Sequence, residues 1–105
     1  MKTLETKEQF NELIEKEDVV FLFSAEWCPD CRIIEPEIPS IEVDYPEYTF
    51  VYVDRDKFIE ICQEQDIFGI PSFIAFREGK EAGRLVSKQR KTKEEIEEFL
   101  DGLEG

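Results

Sequence analysis

Two cysteines, Cys28 and Cys31, are the residues of this 105-residue chain whose spacing indicates chemistry most directly. They follow a continuous apolar run at residues 19–23, and a helix is predicted to begin at them. Pro29 suits the first helical turn and Asp30 suits its positive end. Backbone N–H groups at a helix start stabilise a thiolate, the attacking species in thiol–disulfide exchange. We therefore expect Cys28 to be an exposed nucleophile and Cys31 to resolve the mixed disulfide.

The composition restricts the alternatives for this pair. The chain has three cysteines and no histidine, which excludes a Ser-His-Asp triad, a Cys-His protease pair and any imidazole metal ligand. A zinc site at Cys28 and Cys31 needs two further ligands, and only Cys62 and carboxylates remain to supply them. A redox-active pair is therefore favoured over half of a zinc site, and neither a metal nor a cofactor is expected.

Hydrophobic periodicity predicts the elements that position the pair. The expected strands are runs of β-forming apolar residues at positions 1–4, 19–23, 48–53, 72–76 and 81–86. The expected helices are residues 6–16, a helix from residue 28 interrupted by Pro36 and Pro39, residues 58–62, and a helix from residue 92. Strands that alternate with helices imply parallel crossovers, and the last two strands form a hairpin. The fold class is α/β, a mixed sheet with helices on both faces, in one domain spanning residues 1–105.

Apolar residues at helical spacing predict which face of each helix is buried. They are Phe10, Leu13 and Ile14 in the first helix, Ile33, Ile34, Ile38 and Ile41 in the second, Phe58, Ile59 and Cys62 in the third, and Ile96, Phe99, Leu100 and Leu103 in the last. Capping patterns mark helix ends at Thr6 with Gln9, at Thr92 with Glu95, and at Gly102 or Gly105. Cys62 is thus expected to be a buried apolar side chain; a regulatory thiol is the alternative.

A second signal is the sequence Gly69-Ile70-Pro71 ahead of a buried strand. Proline removes a donor from the hydrogen-bond ladder and is unusual there. A cis Ile70–Pro71 bond explains its presence, since cis bonds are largely confined to proline. A trans proline that begins the strand is the alternative, and the cysteine pair upstream favours the cis form.

Together these motifs resemble thioredoxins over nearly the whole chain. The matching segments are Trp27-Cys28-Pro29-Asp30-Cys31, Pro36, Gly69-Ile70-Pro71 and Phe76-Arg77-Glu78-Gly79. The resemblance implies a thioredoxin fold, a three-layer α/β/α arrangement with a mixed sheet of four to five strands. It also implies a cis Pro71 beside the sulfurs, an Ile70 backbone that pairs with an extended substrate, and a Trp27 that flanks the site.

The function implied by the resemblance is thiol–disulfide exchange. A protein-disulfide reductase of this kind acts on protein or low-molecular-weight disulfides and contributes to cell redox homeostasis. A thioredoxin reductase or a thiol pool is the expected electron donor, and the protein is expected to be a monomer. The alternatives are a binding, adaptor or redox-sensing module with little turnover, and an oxidase or isomerase.

The residues between the cysteines depart from the thioredoxin pattern. Typical thioredoxins have Gly-Pro there, whereas this chain has Pro29-Asp30. The Asp30 carboxylate is expected to repel a Cys28 thiolate and Arg32 to offset the repulsion, so these residues tune the redox potential. Ser87 also stands where the family usually has a glycine in a substrate-contacting loop.

A further departure concerns the proton acceptor for Cys31. Leu22 and Phe50 occupy the positions of the buried aspartate and its accompanying lysine in thioredoxins. Glu26 and Asp30 are the nearest replacements in the sequence, and Glu26 also fits a plain surface residue. These departures predict narrower substrates than those of a general thioredoxin.

Charge is distributed unevenly along the chain. The 26 acidic and 13 basic residues give a formal charge of −13, which disfavours binding to nucleic acid or to an anionic membrane. Residues 84–93 nevertheless carry five bases and no acid (Arg84, Lys88, Arg90, Lys91 and Lys93). This segment is expected to be a solvated loop with the first residues of the last helix; the alternative hypothesis is that it steers an acidic partner or an anionic substrate. The N-terminus lacks the apolar run of a signal peptide, so a cytoplasmic location is expected.

Overall fold

The computed structural model describes residues 1–86 and 91–103, which contain one five-stranded mixed sheet. The strands are β1 (Lys2–Thr3), β2 (Val19–Ser24), β3 (Thr49–Asp54), β4 (Ser72–Arg77) and β5 (Lys80–Leu85). Their order across the sheet is β1-β3-β2-β4-β5. β1 and β2 run parallel to β3, whereas β4 is antiparallel to both β2 and β5. The expected α/β fold with a mixed sheet is confirmed.

Five α-helices and one short 3₁₀ helix accompany the sheet in the described residues. The α-helices are α1 (Lys7–Lys16), α2 (Pro29–Ile34), α3 (Ile38–Asp44), α4 (Ile59–Glu64) and α5 (Lys93–Gly102). The 3₁₀ helix, Glu35–Glu37, separates α2 from α3 at Pro36, the interruption that the prolines predict. Thr6 caps α1 by accepting a hydrogen bond from the Gln9 N–H, and Thr92 caps α5 in the same way through Glu95. Gly105 lies outside the described residues.

β2 is the centre of the sheet, and its position explains its sequence. All six of its residues are buried, because strands flank it on both sides and helices cover both faces. Side chains alternate along the strand, so Phe21 and Phe23 pack with α1 and α4, while Val20 and Leu22 pack beneath α2, α3 and α5. The last residue, Ser24, is a polar side chain with no exposed surface.

Two predictions of buried residues are wrong. Ile33 is 50% exposed, because α2 presents Cys31 and Ile34 to the sheet and the intervening residue lies on another side of the helix. Ile59 is 47% exposed, because α4 begins at this residue and buries Ile61 and Cys62 instead.

No helix within residues 1–86 and 91–103 has the length and apolar character needed to cross a membrane.

Candidate active site

The cysteine pair lies where β2 leads into α2. Cys28 is the N-cap of α2, and Pro29 is the first helical residue. The Cys28 Sγ accepts a hydrogen bond of 3.2 Å from the Cys31 N–H. The short α2 turn therefore holds the two side chains together, as the spacing of the pair predicts.

The two sulfurs differ in burial. Cys31 has no exposed surface and Cys28 is 5% exposed, so the prediction of an exposed Cys28 is wrong. The segment ahead of β4 covers it: the Cys28 thiol lies 3.9 Å from the Ile70 carbonyl oxygen, to which it donates a weak hydrogen bond. Cys28 is still the more accessible of the two sulfur-bearing residues.

The proline segment predicted to lie beside the sulfurs does so. The Ile70–Pro71 peptide bond is cis, and Pro71 is buried. Ile70 is half-buried and packs against Ala25, Cys28 and Cys31. Its carbonyl oxygen is thereby presented next to the nucleophile candidate.

Trp27 flanks the pair on the solvent side. It is 59% exposed, and its Nε1–H donates a 2.6 Å hydrogen bond to Oδ2 of Asp56. The Arg55 guanidinium lies 6.0 Å from the ring centroid, within reach of a cation–π interaction. The loop after β3 thus fixes the indole beside Cys28.

Burial sets the protonation state of the second cysteine. It raises the pKa of the Cys31 thiol to about 12, and the hydrogen bond with Cys28 acts in the same direction. Cys31 therefore keeps its proton at neutral pH. Attack on a mixed disulfide requires that this proton leave.

The Leu22 and Phe50 positions contain no acceptor for that proton. Leu22 has no exposed surface and Phe50 is 3% exposed, and both lie in the apolar cluster beneath α2, α3 and α5. Asp30 is half-buried, and Glu26 is exposed at the rim of a cleft of about 490 Å³. Arg32 is exposed beside Glu26, in a second depression.

A buried polar group that the sequence reasoning missed lies at the end of β2, ahead of the cysteine pair. The buried Ser24 hydroxyl donates a 3.0 Å hydrogen bond to Oε2 of Glu35. The Ser24 side chain also opposes the rise that burial causes in the pKa of Cys31 and in the pKa of Tyr52. The available signal was a hydroxyl at the end of an otherwise apolar strand.

The basic segment is only partly placed. Ser87, Lys88 and Arg90 lie outside the described residues. Arg84 is paired with Glu81 through two hydrogen bonds, of 2.6 and 2.8 Å. Lys91 is 2% exposed, contrary to a solvated loop residue, and burial lowers its pKa. Its charge interacts with both cysteines of the pair.

Cys62 is separate from the pair. It is 5% exposed and packs with Phe58 and Ile61 on the α1–α4 face of the sheet. Burial raises its pKa as well. The expected packing role of this cysteine is confirmed.

Comparison with known proteins identifies the family. The family model for thioredoxin matches residues 2–102. This chain belongs to the thioredoxin family. It is 32% identical over 95 residues to thioredoxin H2 of Arabidopsis thaliana, covering 90% of this chain and 69% of the relative. It is 36% identical over 87 residues to a thioredoxin of Mycoplasmoides gallisepticum, covering 82% and 87% respectively.

Solved structures agree on the fold. The crystal structure of thioredoxin from Trypanosoma brucei brucei has a TM-score of 0.84 and 26% identity, and the match covers 96% of this chain and 88% of that one. Plasmodium falciparum thioredoxin gives a TM-score of 0.86 at 22% identity, covering 97% and 98%. The chain is accordingly a thioredoxin-like thiol–disulfide oxidoreductase.

Proposed function

We propose that this thioredoxin-like oxidoreductase reduces a restricted set of protein or low-molecular-weight disulfides through Cys28 and Cys31. The observation that carries the proposal is the asymmetry of the pair. The Cys28 sulfur accepts the Cys31 N–H and has the small exposed edge, whereas Cys31 is fully covered and protonated at neutral pH.

The chemistry follows from that asymmetry. The Cys28 thiolate attacks one sulfur of the substrate disulfide, forms a mixed disulfide and releases the first substrate thiolate. Cys31 then loses its proton and attacks the Cys28 sulfur. The Cys28–Cys31 disulfide forms, the bond to the substrate breaks, and the second substrate thiolate takes a proton from water. The substrate gains two electrons, and the protein loses two.

Substrate recognition is assigned to the groups around the exposed edge of Cys28. The Ile70 carbonyl, next to Cys28, pairs with an extended peptide substrate, and the Trp27 indole forms one side of the substrate-binding surface. The formal charge of −13 repels strongly acidic substrates. The Pro29-Asp30 dipeptide and the apolar Leu22 and Phe50 support a narrower range of substrates. The oxidised protein is regenerated by a thioredoxin reductase or a thiol pool, and a cytoplasmic location suits a pair that must be reduced again.

Reduction of a test protein disulfide by the natural chain and by Cys28→Ser is the direct test. Cys28→Ser is expected to remove turnover entirely, and Cys31→Ser to stop after one attack and retain the substrate as a mixed disulfide. The alkylation rate of Cys28 with iodoacetamide is measured in parallel. Alkylation no faster than that of a free cysteine, together with no turnover, would contradict the proposal.

A binding or redox-sensing module with little turnover is the second candidate. The 5% exposure of Cys28 favours it, because a covered sulfur reacts slowly with bulky substrates. In that case Cys31→Ser captures partners no better than Cys28→Ser, and binding of partners is independent of both cysteines.

A further inference from the structure

Phe68 is the one exposed phenylalanine in the residues that the structure describes, and it lies two residues ahead of Ile70. Phe68 is 64% exposed, whereas the other phenylalanines there are buried or half-buried. The Ile70 carbonyl oxygen in turn lies 3.9 Å from the Cys28 sulfur. Because two residues span at most about 7 Å, the Phe68 backbone lies close to the exposed edge of Cys28.

The exposure of Phe68 follows from the way in which α4 ends. The Ile67 N–H donates a 2.8 Å hydrogen bond to the Cys62 carbonyl oxygen, and the Asp66 N–H donates one of 3.3 Å to the Gln63 carbonyl oxygen. Together with the left-handed backbone of Asp66, at a φ of 58°, these two bonds form a Schellman motif. Ile67 packs against the apolar cluster that contains Cys62, as is usual in this motif. The helix ending therefore anchors Ile67 and leaves Phe68 in solvent.

Further hydrogen bonds hold the backbone on both sides of Phe68. Nη1 of Arg84 donates a 2.6 Å hydrogen bond to the Gln65 carbonyl oxygen, which ties the end of α4 to β5. On the other side, the Ser72 hydroxyl donates a hydrogen bond to the Gly69 carbonyl oxygen. Phe68 is thus presented on a fixed backbone, so little conformational entropy is lost when a partner covers its ring.

The position of Phe68 gives this exposed ring a role in substrate choice. We propose that Phe68 is a specificity-determining residue, which binds an apolar or aromatic side chain next to the reacting cysteine of a protein disulfide substrate. Aromatic side chains suit such a contact, because they bury a large apolar area with few rotatable bonds. The inference rests on the proposed function and deepens it by naming the class of substrate.

The contact with Phe68 is continuous with the substrate contacts already assigned around Cys28. The Ile70 carbonyl, on the same short segment as Phe68, is the acceptor for a backbone N–H of the substrate. An extended peptide advances about 3.3 Å per residue, so a peptide that pairs with Ile70 brings a side chain within two residues of its cysteine to Phe68. A small disulfide that meets only the exposed edge of Cys28 makes no such contact.

The test uses synthetic peptides whose single cysteine is held in a disulfide with thionitrobenzoate. Cys28 attacks the peptide sulfur, the peptide becomes bound to Cys28, and coloured thionitrobenzoate leaves as a thiolate. Peptides with phenylalanine at one position within two residues of the cysteine are compared with the same peptide carrying alanine there, and Cys28→Ser measures the background. One of the phenylalanine peptides is expected to react about tenfold faster, the lower end of the selectivity that an apolar contact gives.

Phe68→Ala is expected to remove this preference, so that the phenylalanine peptide reacts at the rate of the alanine peptide. Phe68→Tyr keeps the ring and is expected to keep the preference. Val43→Ala, which changes a 77% exposed apolar residue of α3, is the matched control and is expected to behave as the natural chain does. All three variants are expected to unfold at the urea concentration of the natural chain, because the changed side chains are exposed.

Dithiobis-nitrobenzoate, a small disulfide without a peptide, separates recognition from reactivity. Its rate with Cys28 is expected to be the same in the natural chain and in Phe68→Ala. An equal loss with this reagent and with the peptide would overturn the proposal, because Phe68 would then shape the cysteine pair.

Equal rates for all peptides with the natural chain would also overturn the proposal. So would a dimer in sedimentation that Phe68→Ala dissociates, because a second copy of the chain would then cover the ring. Absence of colour release from every peptide contradicts the proposed function together with this inference, whereas equal rates contradict this inference alone.

Discussion

Leu22 and Ser24 lie two residues apart on β2, so their side chains lie on the same face of the sheet, yet their surroundings differ completely. Leu22 is enclosed by apolar side chains from three helices. Ser24 is equally buried but donates a hydrogen bond to the Glu35 carboxylate, which borders a cleft. Over two residues of the same strand, the surroundings thus change from an apolar interior that excludes charge to a strand end that accommodates it.

The difference bears on the cost of an ionisable group beside the cysteine pair. A carboxylate at Leu22 has no hydrated side, whereas the Glu35 carboxylate keeps part of its surface in water. In this chain the buried hydroxyl lies at the edge of the core. Leu22, which occupies the position at which thioredoxins usually carry an acid, packs in the apolar cluster.

The largest expected effect comes from placing a charge in the apolar region. Leu22→Asp is expected to cost about 3–5 kcal/mol of unfolding free energy at neutral pH, because the carboxylate loses water and gains no cation. A buried carboxyl holds its proton above the ordinary Asp pKa of about 3.9, so the folded variant binds more protons than its unfolded chain, and its stability falls as pH rises above that value. Urea unfolding across pH measures the effect. Leu22→Asn is the uncharged control, and an equal pH slope in both variants would contradict the assignment.

Cys31, at the border of the two regions, gives the next effect. The pKa of its thiol is about 12 in the folded protein and about 8.5 in an unfolded chain. The contribution of the protonated Cys31 thiol to the free energy of unfolding is fully present below pH of about 8.5. It is lost as pH rises toward the pKa of the folded protein, at up to about 1.4 kcal/mol per pH unit. Unfolding of the reduced natural chain is therefore expected to show a steeper alkaline loss of stability than Cys31→Ser. If stability falls equally steeply with pH in both proteins, the pKa of Cys31 is the same in the folded and in the unfolded chain.

Ser24→Ala tests the polar end and is expected to cost about 1 kcal/mol, since the half-exposed Glu35 recovers water when it loses the hydroxyl. Leu22→Ala, measured beside it by urea unfolding, is expected to cost about 2–5 kcal/mol. If the two costs are equal, the distinction between the two regions fails.

The smallest effect is expected on the outer side of the pair. Asp56→Asn weakens the hydrogen bond to Trp27, and the free energy of unfolding is expected to change by less than about 0.5 kcal/mol. The fluorescence of Trp27, the single tryptophan of the chain, reports the change directly. An unchanged emission spectrum would show that Asp56 does not fix the indole.

The sequence predicts the parts of the site that depend on local spacing. Cys28 and Cys31 come together because one helical turn joins them, and the segment at Pro71 lies beside them as the family pattern implies. The strands and helices can be predicted from apolar periodicity, because that signal is also local in the sequence.

The rest depends on how elements meet in space. Ser24 and Glu35 are 11 residues apart, and their contact requires the angle at which α2 and the 3₁₀ helix cross β2. Lys91 is buried although lysine is among the residues least often found inside. Ile33 and Ile59 are exposed although the apolar pattern predicts that they are buried, because a short helix has too few turns for periodicity to define which face is inward.

The hydrogen bond between Ser24 and Glu35 has a consequence for the segment that carries the cysteine pair. It joins the last residue of β2 to the first residue of the 3₁₀ helix, so the segment between them, which contains Cys28 and Cys31, is tied at both ends. The sheet therefore anchors the far end of α2 as well as its start, and a displacement of either end is opposed by the other.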